Sequence, residues 1–335
     1  MIRFAAIASN AAMDRFLEGI KACEEMECTA VYARTAEERT VLARKYHFEK
    51  IYDHPEDLAM DETIDAVYIA SPPARHFGQI MMMLNYGKHV LCERPAVSNA
   101  KELELVLQAA EENEVLFFEA VKTLCTPGLR RIRELFPKIG KARNALIRNC
   151  EYSFEYERFQ RGMTDAAFSL KLSEGAIMDA GCEAIHFMIA LFGMPKSFTT
   201  DGKLLPGGCD GSGAIHAEYQ DMQVQVLYSK TDADKRPSRI QGEAGCMLIP
   251  DISCIREIGI VDCEGHEELY AVSEEDRGNT GDSLIYAISE FRYLIEEEEM
   301  AHSYYQNMTA VFRMMDEVRR RIGIVFPADK IMEVL

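Results

Sequence analysis

Apolar residues in the first 120 positions follow two alternating rhythms. Short, largely apolar runs at Ile2–Ala8, Thr29–Ala33, Ile51–Tyr52, Ile64–Ala70, His89–Cys92 and Val115–Phe118 have the length of buried strands. Between them lie stretches with helical spacing: Asp14–Cys23, with Phe16, Leu17 and Ile20 on one face, then Ala36–Tyr46, Pro55–Ala59, Ala74–Tyr86 and Ala100–Glu111. Asp53 stands where it could cap the short helix at Pro55. A repeated strand–helix–strand order with short connections predicts a doubly wound parallel sheet with helices on both faces, over residues 1–120. Ligands of such sheets bind at the carboxyl ends of the strands, where the strand order reverses. Informative residues are therefore expected just after each strand.

Beyond Glu119 the rhythm changes. A helix at Pro127–Phe136 leads to a strand at Arg143–Tyr152 and a helix at Ala176–Phe192. Seven strand-like segments follow between Ser197 and Val272, separated by turn signals such as Gly207–Gly208 and Glu264–Gly265. Helices at Leu284–Glu297 and Tyr304–Arg321 close the chain. This predicts an α+β second domain over residues 121–335, built on an open, mostly antiparallel sheet. Two domains also suit 335 residues, more than one core usually supports.

Charge and composition narrow the function classes. A formal net charge of −18 argues against nucleic acid as a partner. No apolar stretch approaches the roughly 18 residues of a membrane span, and the first residues enter a strand rather than a signal peptide, so a cytoplasmic protein is expected. The ten cysteines include no C-x-x-C pair and read as reduced thiols; the eight histidines show no metal-binding spacing, so no metal is expected.

The turns after the strands carry the candidate chemistry. The first reads Ala8-Ser9-Asn10-Ala11-Ala12-Met13. A dinucleotide fold usually has glycines here so that helix-start amides can approach a pyrophosphate. Small side chains still allow a fairly close approach, and both a nucleotide turn and a plain tight turn fit. After the second strand comes Arg34-Thr35, with no acidic residue to take a ribose 2′-hydroxyl. An arginine there suits the 2′-phosphate of NADP better than NAD, although a surface arginine would look the same. The fourth strand ends in Ser71-Pro72 with His76 a turn later, and the fifth in Glu93-Arg94-Pro95. Asp179, Glu183 and His186 stand at i, i+4 and i+7 of an otherwise apolar helix, hence on one face. Three such groups need partners when buried. They could handle a substrate hydroxyl and its proton, or form an ion-pair network holding domains together.

These pieces occur in an order that resembles the glucose–fructose oxidoreductase / inositol dehydrogenase / MocA family, nearest its dihydrodiol-dehydrogenase branch. The resemblance rests on Ile64–Pro95, with its Ser71-Pro72…His76 turn and Glu93-Arg94-Pro95, and on Glu174–Pro195, with Glu174-Gly175-Ala176 and Asp179. Phe118-Glu119-Ala120, Ile139–Ala142 and Ile322–Pro327 also fit. It implies a Rossmann domain followed by an open-sheet domain that often mediates dimer or tetramer contacts. The cofactor would lie along Ala8–Met13, Arg34, Thr35, Ser71, Pro72, His76, Glu93 and Arg94. The Arg94–Pro95 bond is expected to be cis, as its counterpart often is.

The chain departs from the family where the family does its chemistry. Arg94 holds the position of the catalytic lysine, and arginine stays protonated in proteins. Glu183 holds the place of a common His or Tyr, and could pair with Arg94. Ala8 replaces a glycine. The resemblance implies an NAD(P)-dependent oxidoreductase acting on a hydroxyl or carbonyl carbon of a sugar, polyol or cyclic diol, with Arg94, Asp179, Glu183 and His186 as catalytic candidates. Lys122, Tyr152, Tyr156 and Arg158 are further candidates for substrate contact. The alternative is a non-catalytic relative that binds a nucleotide or sugar-like ligand as a sensor or partner subunit.

Overall fold

The computed structural model describes residues 1–8, 10–23, 25–163, 166–272 and 284–332. Ser9 lies outside the described residues, as does the side chain of Asn10. The chain divides into two compact units, Met1–Ala120 with Asp282–Tyr305, and Val121–Gly281 with Gln306–Leu335.

The first unit runs β1 (Ile2–Ala8), α1 (Asn10–Lys21), β2 (Met26–Tyr32), α2 (Ala36–Tyr46), β3 (Lys50–Tyr52), α3 (Pro55–Met60), β4 (Ala66–Ala70), α4 (Pro73–Asn85), β5 (His89–Glu93), α5 (Ala100–Glu112) and β6 (Phe117–Ala120). Its six strands are all parallel, in the order β3-β2-β1-β4-β5-β6. The order reverses between β1 and β4, as expected of a doubly wound sheet. Helix α1 begins earlier than its large apolar residues suggest, because Ala12 and Met13 already turn into the core. Asp53 does not cap α3. His54 holds the N-cap position without a side-chain bond, and Pro55 opens the helix without needing a donor partner.

The core of this unit is aromatic. Phe16 stacks on Tyr68 with centroids 4.1 Å apart and meets the edge of Phe4 at 5.4 Å. Phe291, from the returning segment, lies 5.6 Å from Phe4 and 6.5 Å from Phe118. The imidazole of His302 bonds the Phe117 carbonyl at 3.0 Å. These contacts tie the returning segment to the sheet.

The second unit contains α6 (Lys122–Cys125), α7 (Pro127–Ile139), β7 (Ala142–Cys150), α8 (Phe154–Gln160), α9 (Cys182–Phe192), β8 (Ser197–Leu204), β9 (Asp210–Glu218), β10 (Gln223–Ser229), β11 (Ser238–Gly242), β12 (Gly245–Ile249), β13 (Glu257–Asp262) and β14 (Glu267–Ala271). The eight strands lie in the order β14-β13-β12-β11-β7-β10-β9-β8, antiparallel except for the β7–β10 pair. Helix α10 (Ile285–Glu296) belongs to the returning segment of the first unit; α11 (Tyr304–Ile322) and α12 (Pro327–Met332) end the chain.

Two features correct the sequence reading of this unit. The helix expected from Ala176 is not uniform: Ile177–Gly181 forms a π-helical turn, closed by the Gly181 amide on the Ala176 carbonyl, before α9 begins. Leu170–Phe192 also has the length and apolarity of a membrane span, which short apolar runs alone did not reveal. Its window is 78% buried inside the protein, so it is a core helix.

Replacing Phe16 by Ala removes a fully buried ring from the stack that joins α1 to the sheet. The expected cost is about 3–5 kcal/mol, read as a lower urea midpoint with an unchanged slope.

Candidate functional site

In the first unit, the carboxyl ends of β1, β2 and β4 open onto a cleft of about 640 Å³ at the point where strand order reverses. Ala8, Arg34, Ser71 and Pro72 line it together, so four of the residues singled out after strands meet in one place. Arg75 and Gln79 of α4 line it too. Arg34 and Arg75 are both exposed, and among the described residues neither guanidinium makes a hydrogen bond or ion pair. Two unpaired guanidiniums in one cleft make a natural receptor for a phosphate group.

Other expected cofactor residues take local structural roles. The Thr35 hydroxyl accepts from the Glu38 amide, and the Glu38 carboxylate accepts from the Thr35 amide, each at 3.1 Å. That capping box starts α2 and engages the Glu38 carboxylate, which would otherwise repel an anion. Ser71 Oγ donates to Gln79 Oε1 at 2.6 Å. Ala11 is exposed, whereas the side chains of Ala12 and Met13 are in the core.

His76 is buried, with Nδ1 at 3.1 Å from the Pro95 carbonyl and 3.4 Å from Cys92 Sγ. Burial pushes its pKa down to about 4, so it is neutral at pH 7. It braces the turn after β5, where the Arg94–Pro95 bond is cis. Three carboxylates hold the same region. Glu119 accepts from the Ala96 amide and Glu102 from the Ser98 amide, each at 2.8 Å. Glu93 accepts from the Tyr68 hydroxyl at 2.8 Å. Arg94 thus rides on a turn fixed from several sides.

In the second unit, Asp179, Glu183 and His186 each have a partner of their own. Asp179 Oδ2 lies 2.6 Å from Lys230 Nζ. Glu183 is buried and accepts from Ser253 Oγ at 2.8 Å, Asn149 Nδ2 at 3.3 Å and Thr123 Oγ1 at 3.4 Å. His186 is buried and meets Asn307 Oδ1 through Nδ1 at 3.0 Å. Asp179 lies in the π turn, whereas Glu183 and His186 lie on the regular helix α9, so the turn sets Asp179 at a different angle from the other two.

That turn is pinned by Asp210, the first residue of β9. Its carboxylate accepts from the Ile177 amide at 2.8 Å, and its carbonyl from the Ala176 amide at 3.0 Å. A Cβ on Gly175, whose φ is +142°, would stand 2.4 Å from Asp210 Oδ1. The glycine of Glu174-Gly175-Ala176 is therefore needed for close approach. Tyr152, Tyr156 and Arg158 lie on or beside α8, where Tyr156 meets Phe168 at 5.8 Å. Lys122 opens α6.

Sequence reasoning missed Arg75, Asp210 and Lys230. Arg75 lay inside a quoted turn. Lys230 followed a strand, the same signal that drew attention to Glu93 and Arg94.

Burial raises the Asp210 pKa to about 7, against the bonds from backbone amides that favour its charge. The folded state keeps this proton to about pH 7, whereas the unfolded chain releases it near 3.8. Its contribution to stability is therefore full at low pH and falls as pH rises between those values. Asp210→Asn cannot titrate and should flatten that slope, measured as urea midpoints across the window.

Comparison with known proteins agrees with these halves. Residues 2–121 match the profile of an oxidoreductase family with an NAD-binding Rossmann fold. The chain is 36% identical over 332 residues to the scyllo-inositol 2-dehydrogenase (NADP(+)) IolU of Bacillus subtilis (strain 168), covering 98% of this chain and 100% of that protein. It is 25% identical to the trans-1,2-dihydrobenzene-1,2-diol dehydrogenase of Xenopus tropicalis, over 90% of this chain and 91% of that one. Among solved structures, KijD10, a 3-ketoreductase from Actinomadura kijaniata in complex with NADP and TDP-benzene, shares the fold. Its TM-score is 0.82 at 20% identity, covering 96% of this chain and 98% of that one. Identity extending over nearly the full length of both IolU and this chain carries the assignment beyond the first unit: the protein belongs to the glucose–fructose oxidoreductase / inositol dehydrogenase / MocA family of oxidoreductases.

Proposed function

We propose that this protein is an NADP-dependent dehydrogenase that oxidises a hydroxyl of a ring polyol, with scyllo-inositol as the first substrate to test. The observation that carries the reading is the cleft at the strand-order reversal, where Arg34 and Arg75 stand without partners among the described residues. They fit a 2′-phosphate, and positions 33–35, directly after β2, carry no acidic side chain for a 2′-hydroxyl; Glu37 and Glu38 of α2 also line the cleft, with Glu38 engaged in the capping box. Full-length identity to an NADP(+)-dependent scyllo-inositol dehydrogenase supports both cofactor and substrate class.

Bound nicotinamide supplies the hydride acceptor, and the chain's residues do the rest. Arg94 stays a cation and stabilises the substrate oxygen as negative charge develops. Asp179, whose side chain is 41% exposed, takes the hydroxyl proton and returns it to water. Glu183 and His186, buried on partners of their own unit, hold α9 in place rather than exchange protons. The ten free thiols fit a reducing cytoplasm. The alternating strands leave Leu146, Leu227, Leu248 and Leu269 on one face of the second sheet, which we assign to self-association.

Titration of purified protein with NADPH and NADH, by calorimetry or tyrosine fluorescence, tests the cofactor. NADPH should bind tighter, and Arg34→Leu should weaken NADPH by about 10- to 100-fold, as for loss of a charged hydrogen-bonded contact, with NADH unchanged. Equal loss for both would remove Arg34 from the 2′-phosphate site. In a steady-state assay with NADP+ and scyllo-inositol, Arg94→Ala should lower kcat by about 100-fold or more while NADPH binding persists. Unchanged turnover would end the role given to Arg94. A wild-type protein that binds NADPH but turns over no polyol would favour the non-catalytic alternative.

A further inference from the structure

We propose that Lys230 is a positioning residue for this reaction: from inside the second unit it orients Asp179 and keeps it ionised, in a chain that has no lysine at position 94. The inference rests on the proton-accepting role assigned to Asp179 above.

The first support is the cost of placing a lysine there. Lys230 follows β10, and its side chain is only 9% exposed. An ammonium taken out of water needs a partner at hydrogen-bond distance. It has one in Asp179 Oδ2 at 2.6 Å, whereas Glu155 stands at 3.9 Å. The Phe168 ring centroid lies 5.5 Å from the ammonium. The backbone is held on both sides, since the Lys230 amide donates to the Gly211 carbonyl at 2.9 Å and its carbonyl accepts from the Ser153 amide at 3.0 Å. The ammonium has little freedom to turn elsewhere.

The second support is the asymmetry of the pair. Asp179 remains 41% accessible above a buried lysine, so the carboxylate can meet an incoming hydroxyl while the cation cannot. The cation acts from the inside on a carboxylate that faces outward. The third is the π turn beneath Asp179, held separately by Asp210. Such turns are frequent at functional sites. Asp210 thus fixes the backbone of Asp179, and Lys230 its side chain.

The acidic groups around the ammonium are Asp179 on the π turn, Glu155 on α8, Glu174 before the turn and Asp210 on β9, the last of which burial keeps protonated to about pH 7. Burial works to lower the pKa of Lys230, but the charge and hydrogen bond of Asp179, with help from the two glutamates, outweigh it and raise it. The lysine is therefore a fixed cation rather than a proton carrier. A cation at this distance lowers the pKa of a neighbouring carboxylate by about 1–3 units. Removing it should raise that pKa, so the base form would be lost at a higher pH.

The test uses the full chain and two readouts. In cofactor-free protein labelled with 13C at aspartate carboxyl carbons, the Asp179 resonance is identified by its absence in Asp179→Asn and titrated by NMR. Lys230→Met should move its midpoint up by about one pH unit or more, and Lys230→Arg should keep it near the wild-type value. In the scyllo-inositol assay, the acidic limb of log kcat/KM against pH should move by the same amount in Lys230→Met and return in Lys230→Arg, with NADPH affinity unchanged. An unmoved midpoint, or equal shifts in Lys230→Met and Lys230→Arg, would overturn the proposal and leave Lys230 as packing. If Lys230→Met does not fold, Lys230→Gln replaces it with the same expectations. Should wild-type protein fail to oxidise scyllo-inositol, the substrate assignment falls, and the NMR midpoint alone decides whether Lys230 governs Asp179.

Discussion

A carboxylate taken out of water must be given donors, and the turns that matter in this protein are built on that requirement. Asp210 commits its buried carboxylate to the first amide of the π turn, Glu119 to the amide of Ala96, and Glu102 to the amide of Ser98. Each amide belongs to a stretch that neither helix nor sheet can satisfy. Each carboxylate stands on a regular element of the same unit. Irregular backbone carrying Arg94 in one unit, and Asp179 in the other, is therefore as well held as the sheets themselves. Removing any of these acceptors leaves a buried donor unpaired, which costs more than the bond contributes.

The placement of charge also explains how the chain departs from its family without losing a coherent chemistry. An arginine at position 94 cannot trade a proton, but it holds positive charge at every pH the protein meets. On the proposed reading, proton handling then falls to a carboxylate. Glu183 is poorly placed for it, being buried and bonded to Ser253, Asn149 and Thr123. Asp179 is accessible and already neighbours a cation. On the proposed reading the positive charge and the proton acceptor have been divided between two residues.

On the proposed reading, the turn after β1 shows a comparable substitution of means. Glycines usually let a helix start come close to the pyrophosphate, and none is present between Ala8 and Met13. Small residues remain at Ala8, Ala11 and Ala12, while two arginines line the same cleft as Ala8. On the proposed reading, affinity lost at the turn is offset by charge at the 2′-phosphate end. The capping box at Thr35 belongs to the same arrangement, because it keeps one of the two carboxylates lining the cleft, Glu38, on the helix start.

What could be read along the chain was whatever depends on neighbours in sequence. The apolar runs and helical spacings from Ile2 to Ala120 located the six strands of the first sheet to within a few residues, since a buried parallel strand is apolar along its whole length. The turns after those strands were legible for the same reason, and Ala8, Arg34, Ser71 and Pro72 do meet in one cleft. Partnership was not legible. Asp179, Glu183 and His186 look like one row when a uniform helix is assumed, and the π turn that sets Asp179 apart from the other two is held by Asp210, supplied from a strand further along the chain. Lys230 reaches Asp179 only because β10 ends beside that turn, and Arg75 shares a cleft with Arg34 only because β2 and β4 flank β1. Local periodicity sets which residues form an element, but the pairing of charges between elements is decided by sheet order and register, which only the folded chain contains.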